Sequence, residues 1–236
     1  MIKVENIDVW GFEHAIRGMR NPMNSWDKSD SFCCDDRPTC DGCLCEGVDD
    51  TCNSTVGLKG VIVGKNDLDL MRRLYKAGTE HRKYLRQIYV SMDITAPLYW
   101  WKEFDTYKVG TVANSCSTMH KIHDKFFDVD DFSCEHLQEF WDSSDAEYRE
   151  ALKTTIRALN NARENYLKTK DKKYWWYMIQ LLPSSYNQRR TVTMNYENVM
   201  TIIRQRTGHK LDEWNQFVET LKGLPYIAEI METDID

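Results

Sequence analysis

Two groups of residues stand out for the chemistry that their types and spacing allow. Six of the eight cysteines are gathered between Cys33 and Cys52: Cys33, Cys34, Cys40, Cys43, Cys45 and Cys52. Cys40-x-x-Cys43 is a knuckle spacing, in which two thiolates reach one tetrahedral zinc. Cys33 or Cys34 with Cys52 would complete a four-thiolate set, so Cys33, Cys40, Cys43 and Cys52 are the candidate ligands. Reduced thiols on a polar loop are the competing reading, because six thiols exceed the four a structural zinc needs. The second group is aromatic: Tyr99-Trp100-Trp101 and Tyr174-Trp175-Trp176-Tyr177. Such rings can stack on flat ligands, but runs of this kind more commonly pack cores and subunit contacts.

The bulk numbers narrow the classes. The 236 residues suffice for one large domain with a real core. The formal net charge of -6 disfavours sequence-independent nucleic-acid binding, which needs a basic surface. No apolar run reaches the length of a membrane span, and the start Met1-Ile2-Lys3-Val4-Glu5-Asn6 lacks the apolar core of an export signal. Cysteines gathered in one segment do not make a secreted disulfide framework. A cytoplasmic protein without a membrane partner is expected.

The elements that must position any site follow from periodicity. Residues 3–9 alternate weakly and predict a strand. Phe12, Ala15, Ile16 and Met19 carry helical spacing, ended by Asn21-Pro22. The polar stretch from Ser25 to Gly60 reads as a long surface loop, so the expected organisation is one domain over 1–236 with a Cys-rich insertion at 29–60. Asn66 is the expected N-cap of a helix over Asp67–Ala77, with Gly78 just past its end. A strand is expected within Tyr84–Ile94 and a buried aromatic segment over Ala96–Phe104. Helices are expected over Ser144–Lys168, Lys173–Leu182, Asn195–Arg206 and Lys210–Leu221, with a short strand at Thr191–Met194.

The segment APLYWWKEFDTYKVGTVANSCS, Ala96 to Ser117, resembles the stretch of flavin-dependent thymidylate synthases that carries their R-H-R-x-x-S-x-N-x-x-S-x-R signature. Matched in order, R-H-R falls on Thr106, Tyr107 and Lys108, and the first Ser on Thr111. With one inserted residue, Asn falls on Asn114, the second Ser on Ser117 and the closing Arg on Met119. A pyrimidine-facing Gln of the family falls on Glu103. The later run Leu182-Pro183, Thr193-x-Asn195, Arg206, His209 and Glu213 is similar to the family's "LP…TVN…R…H…E". Ala15 to Arg20 looks like its first helix, and Lys76 to His81 like its "GHxTPFEH" turn. The likeness covers nearly the whole chain outside the cysteine loop.

That resemblance implies an α/β (α+β) fold: a mostly antiparallel sheet with flanking helices, assembled as a homotetramer. It implies FAD as cofactor, NADPH and methylenetetrahydrofolate as co-substrates, and reductive methylation of dUMP to dTMP. Arg206 matches the substrate-activating arginine. Thr79, Tyr107, Lys108, Asn195 and His209 match flavin-side positions, and Glu103, Asn114 and Ser117 match dUMP-side positions. Four cationic positions of the family are changed here, to Thr106, Ile179, Glu197 and Met119. Each lost charge-assisted contact is worth about 1.5–3 kcal/mol. A carboxylate at Glu197 is expected to repel a flavin pyrophosphate. Two other readings therefore stand beside the enzyme: a catalytically inactive member that holds or sequesters a nucleotide, and an interaction protein that uses the cysteine loop as its contact surface.

Overall fold

The computed structural model describes residues 2–33, 57–58, 61–139 and 146–232. Strand β1 (Lys3–Trp10) leads into α1 (Phe12–Arg20), whose buried Phe12, Ala15, Ile16 and Met19 are the residues the spacing selected. Three two-residue strands follow: β2 (Phe32–Cys33), β3 (Gly57–Leu58) and β4 (Val61–Ile62). Helix α2 (Lys65–Lys76) precedes a 3-10 turn over Lys83–Gln87, strand β5 (Tyr89–Pro97), α3 (Leu98–Phe104), β6 (Thr111–Ser115) and α4 (Thr118–Lys121). Then come α5 (Glu135–Glu139), the long α6 (Ala146–Thr169), α7 (Lys172–Leu181) and β7 (Asn187–Asn195). Helices α8 (Tyr196–Arg206), α9 (Asp212–Lys222) and α10 (Ile227–Met231) finish the chain.

One sheet has the strand order β3-β1-β5-β7-β6, and β2 pairs with β4 in a second, antiparallel ladder. The main sheet is mostly antiparallel, with β3 running parallel to β1. Paired residue numbers run in opposite directions along β5 and β7: the amide of Leu98 donates to Tyr186, and that of Tyr196 to Ile88. That opposite run is the signature of an antiparallel pair. The expected α/β architecture with an antiparallel sheet and flanking helices is therefore the one observed.

The chain forms two compact units. The first comprises residues 1–3, 94–106 and 114–191, and the second residues 4–93, 107–113 and 192–236. In the first, Ile122, Phe127, Phe132, Ile156, Leu159, Ala162 and Met178 form a buried cluster. Asn160 sits among them without cost, because Phe127 satisfies both ends of its amide at 2.9 Å. On α3, Trp100, Trp101 and Phe104 are buried against one another, so this aromatic run is core. In the second unit, Phe12 meets Tyr196 and Tyr226 edge to face at 5.7 and 5.4 Å.

Three local expectations are corrected. Asn66 does not cap α2. The helix starts at Lys65, and the carboxylate of Asp30 accepts from the amides of Asn66 and Asp67 at 2.9 and 3.1 Å. The capping oxygen thus comes from the preceding loop rather than from the helix's own start. The strand expected to start near Tyr84 starts at Tyr89, because Lys83–Gln87 coils into the 3-10 turn that buries Tyr84 and Leu85. The strand expected over Thr191–Met194 extends over all of β7.

Candidate functional site

The second unit gathers Tyr107, Arg206 and His209. Helix α8 ends at Arg206, and Gly208, at φ 71°, turns the chain back so that His209 faces the guanidinium. Arg206 Nε donates to Tyr107 Oη at 2.9 Å, and Nη1 lies 3.1 Å from His209 Nε2. Tyr107 Oη in turn donates to Gln205 Oε1 at 3.0 Å, so the phenol uses both its roles and fixes the direction from which it accepts. The guanidinium lies over the indole of Trp214, 4.5 Å from the ring centroid. Trp214 itself is fully buried.

His209 is approached by donors on both sides. The amide of Leu211 donates to Nδ1 at 3.2 Å, while Arg206 faces Nε2. A neutral imidazole has a single acceptor nitrogen, so it can satisfy only one of the two at a time.

Asn195 and the turn before β6 form a second polar group in this unit. Asn195 Oδ1 accepts from the amide of Asn198 at 3.0 Å and caps α8. Asn198 Nδ2 donates to the carbonyl of Val109 at 2.6 Å and to Thr111 Oγ1 at 2.9 Å, tying the turn to the helix. Gly110, at φ 72°, stands in this turn where a Cβ would come within 2.5 Å of Asn195 Nδ2. The only residue without a side chain therefore permits this approach.

Glu197 lies on the first turn of α8 and does not stand as a bare anion. Arg82 Nε donates to Oε1 at 3.2 Å, and Arg86 bonds Oε2. Burial alone would raise this carboxyl. The hydrogen bonds and charges of Arg86 and Arg82 outweigh it and hold the group below the ordinary glutamate value. Two guanidiniums thus face this one carboxylate, and the charge of Glu80 also acts on Arg86. The carboxylate expected to stand alone is therefore paired with two arginines, which only the Arg82–Arg86 spacing hinted at along the chain. Thr79 is exposed, and its Oγ1 accepts from Arg82 Nη2 at 3.3 Å, while Lys108 is exposed.

The remaining sequence candidates belong to the first unit. Glu103 is half-buried on α3. Asn114 and Ser117 are exposed, and Ser117 Oγ accepts from the amide of His120 at 3.1 Å, capping α4. Arg190 is held over Trp101 at 4.2 Å and paired with Asp105 at 2.7 Å, so it serves this unit's own packing. Cys33 lies in β2, while Cys40, Cys43 and Cys52 fall outside the described residues. Among the described residues no group of three metal-ligating His, Cys, Asp or Glu side chains comes together, and no helix is long and apolar enough to cross a membrane.

No protein-family model matches the sequence, and no curated protein matches it. Solved structures do match in fold. Thymidylate synthase X (ThyX) from Helicobacter pylori, with FAD and dUMP, is 17% identical, with a TM-score of 0.63, over 100% of this chain and 99% of that one. A second structure of the same flavin-dependent enzyme gives 15% identity and a TM-score of 0.62, covering 99% and 100% of the two chains. A UMP/dUMP methylase, PolB from Streptomyces cacaoi, bound with 5-Br dUMP, is 14% identical with a TM-score of 0.56 over 94% and 88%. The chain thus has the fold of the flavin-dependent thymidylate synthases, as its sequence resemblance implied.

Proposed function

We propose that this protein is a divergent flavin-dependent thymidylate synthase that binds a uridylate and methylates its pyrimidine, dUMP to dTMP being the reference reaction. The observation that carries the reading is the fixed guanidinium of Arg206, held by Tyr107, Trp214 and His209. A pyrimidine gains negative charge on a carbonyl oxygen as its ring is reduced, and a preorganised cation stabilises that charge without reorganising. Such an oxygen, accepting from Arg206, would also relieve the competition at His209. The imidazole could then keep its proton on Nε2 and accept from Leu211 on Nδ1.

The residues present fit a flavin. The guanidiniums of Arg82 and Arg86 are donors that suit a pyrophosphate, and Asn195, Lys108 and His209 offer polar contacts, with the Tyr107 ring beside Arg206. FAD, when bound, supplies the hydride chemistry. NADPH and methylenetetrahydrofolate are the co-substrates of this proposal, and a homotetramer its assembly. The matched structures support FAD and the nucleotide: ThyX was crystallised with FAD and dUMP, and PolB with brominated dUMP or UMP.

A second reading rests on Thr106, Ile179 and Met119, which stand where the family has cations. Without those contacts the fold would hold a nucleotide and not turn it over. One experiment separates the two. The protein is incubated with FAD, desalted, and its absorbance recorded before and after dUMP; NADPH and methylenetetrahydrofolate are then added and the nucleotide is weighed by mass spectrometry. A retained flavin spectrum that dUMP perturbs, with a mass gain of one methyl group, is the expected result. A colourless protein that releases a nucleotide on denaturation overturns the synthase in favour of the binding protein.

A further inference from the structure

The first unit contains a cavity of about 410 Å³ lined by Met119, His120, His123, Tyr166, Lys170, Lys172 and Trp175. Its lining holds two lysines and two histidines and no carboxylate. The neighbouring acids are paired with other lysines, Asp171 with Lys173 at 3.3 Å and Asp124 with Lys121 at 2.9 Å, and Asp124 also lies 3.4 Å from His123 of the lining. Among the described residues no carboxylate pairs with Lys170 or Lys172. Their ammonium groups lie instead over the rings of Tyr166 and Trp176, at 5.8 and 5.9 Å. An aromatic face attracts a cation without neutralising it, so both charges remain for a ligand.

The backbone is spent on this arrangement. Lys170 links α6 to α7 at φ 55°, a left-handed conformation that favours glycine or asparagine. A lysine kept there is strained, and strained residues gather at functional sites. The wall is fixed as well: Trp175 Nε1 donates to the carbonyl of Met119 at 3.0 Å, and His123 and Tyr166 meet edge to face at 4.9 Å.

We infer that this cavity binds a phosphate monoester or inorganic phosphate, gripped by Lys170 and Lys172 with His120 at its rim. The inference rests on the α6–α7 link and its neighbours and does not depend on the chemistry assigned to Arg206.

The test is calorimetric titration of the intact protein with inorganic phosphate, with UMP, and with uridine as the phosphate-free control. It is repeated on Lys170→Gly, Lys172→Gln and the double variant. Glycine accepts φ 55°, so Lys170→Gly should melt no lower than the parent. The expected result is that phosphate binds and each substitution weakens it by about tenfold, and that UMP shows a lysine-dependent site beside the lysine-independent one proposed at Arg206. Uridine should show no lysine dependence. UMP much tighter than phosphate, with the same lysine dependence, identifies a nucleotide as the source; equal affinities identify free phosphate. Phosphate binding that survives the double substitution unchanged overturns the site while leaving the synthase reading intact. So does the absence of any phosphate binding to the parent when dUMP still perturbs a bound flavin.

Discussion

The guanidinium of Arg206 lies 4.5 Å from the centre of the Trp214 indole, which no solvent reaches. Trp214 is a core residue of α9, packed on Phe217 at 6.1 Å. The charge is therefore positioned by the hydrophobic core rather than by a mobile loop. Stacking on indole is worth roughly 0.5–2 kcal/mol, and it leaves the edge of the guanidinium for hydrogen bonds.

Arg206→Lys should separate charge from geometry. Lysine keeps the cation and loses the planar fork, the stack and the aim of Nε at Tyr107. The melting temperature should move by only a few degrees, because the position is half-buried and at a helix end. Turnover should fall by about a hundredfold, the usual loss when one preorganised donor is removed. Tyr107→Phe should cost less, about 1 kcal/mol or roughly fivefold, since it loosens the cation without removing it. A lysine variant with the parent's turnover and the parent's spectral response to dUMP would falsify the role given to Arg206.

Glu197 gives a pH signature of stability. Its carboxyl sits below the ordinary value of 4.5, so the folded state binds its proton less readily than the unfolded chain does. The sign follows: the stabilisation is complete above pH 4.5 and is lost as pH falls through the lower folded value. Glu197→Gln should therefore melt lower than the parent at pH 7. The gap should shrink steadily below pH 4.5, as read by calorimetry at a series of pH values. Arg82, only 13% exposed in its side chain, would be left with an uncompensated charge, which makes a cost of about 1–3 kcal/mol reasonable. A gap that stays constant from pH 7 to pH 3 would show that the ion cluster does not contribute.

What was legible in the sequence was whatever depends on neighbours along the chain. The helix expected over Asn195–Arg206 was readable to within one residue of α8, because apolar spacing acts within a few residues. The ordered likeness of Asn195, Arg206 and His209 to the family run pointed to the fold, and three of the candidates, Tyr107, Arg206 and His209, do meet in space. The partners that decide the electrostatics were not readable. Arg82 and Arg86 reach Glu197 across more than a hundred residues, and Trp214 looked like any other core aromatic. The cap of α2 failed for the same reason: Asn66 has the right chemistry but lies inside the helix, and Asp30 arrives from another segment and takes the amides.

That displaced cap sits beside a buried ion pair, and the two substitutions should differ in size. Asp67 is fully buried; its Oδ1 accepts from Arg20 Nε at 2.6 Å, and its Oδ2 from Ser29 Oγ at 2.7 Å and Ser31 Oγ at 2.6 Å. Asp30→Ala removes a cap from an exposed residue and should cost about 1 kcal/mol. Asp67→Ala strands the guanidinium of Arg20, which is 4% exposed, and should cost about 3–5 kcal/mol. Chemical denaturation of both variants checks the order. Equal losses would mean that Asp67 matters only through the loop that carries Asp30.

Gly110→Ala tests whether the turn before β6 and the start of α8 act as one piece. The new Cβ would come within 2.5 Å of Asn195 Nδ2 and would also have to adopt φ 72°. Both effects are unfavourable, and together they should destabilise by about 1–3 kcal/mol. Asn195 cannot withdraw freely, because its Oδ1 caps α8 at Asn198. The strain should therefore shift the turn, loosening the bonds from Asn198 to Val109 and Thr111 and with them the segment that carries Tyr107. If so, amide exchange should quicken both at Asn198, the capped N–H, and across residues 107–113, and the flavin response to dUMP should weaken although no proposed contact residue has changed. Faster exchange confined to residues 109–111, with the response intact, would mean that the turn is merely a connection.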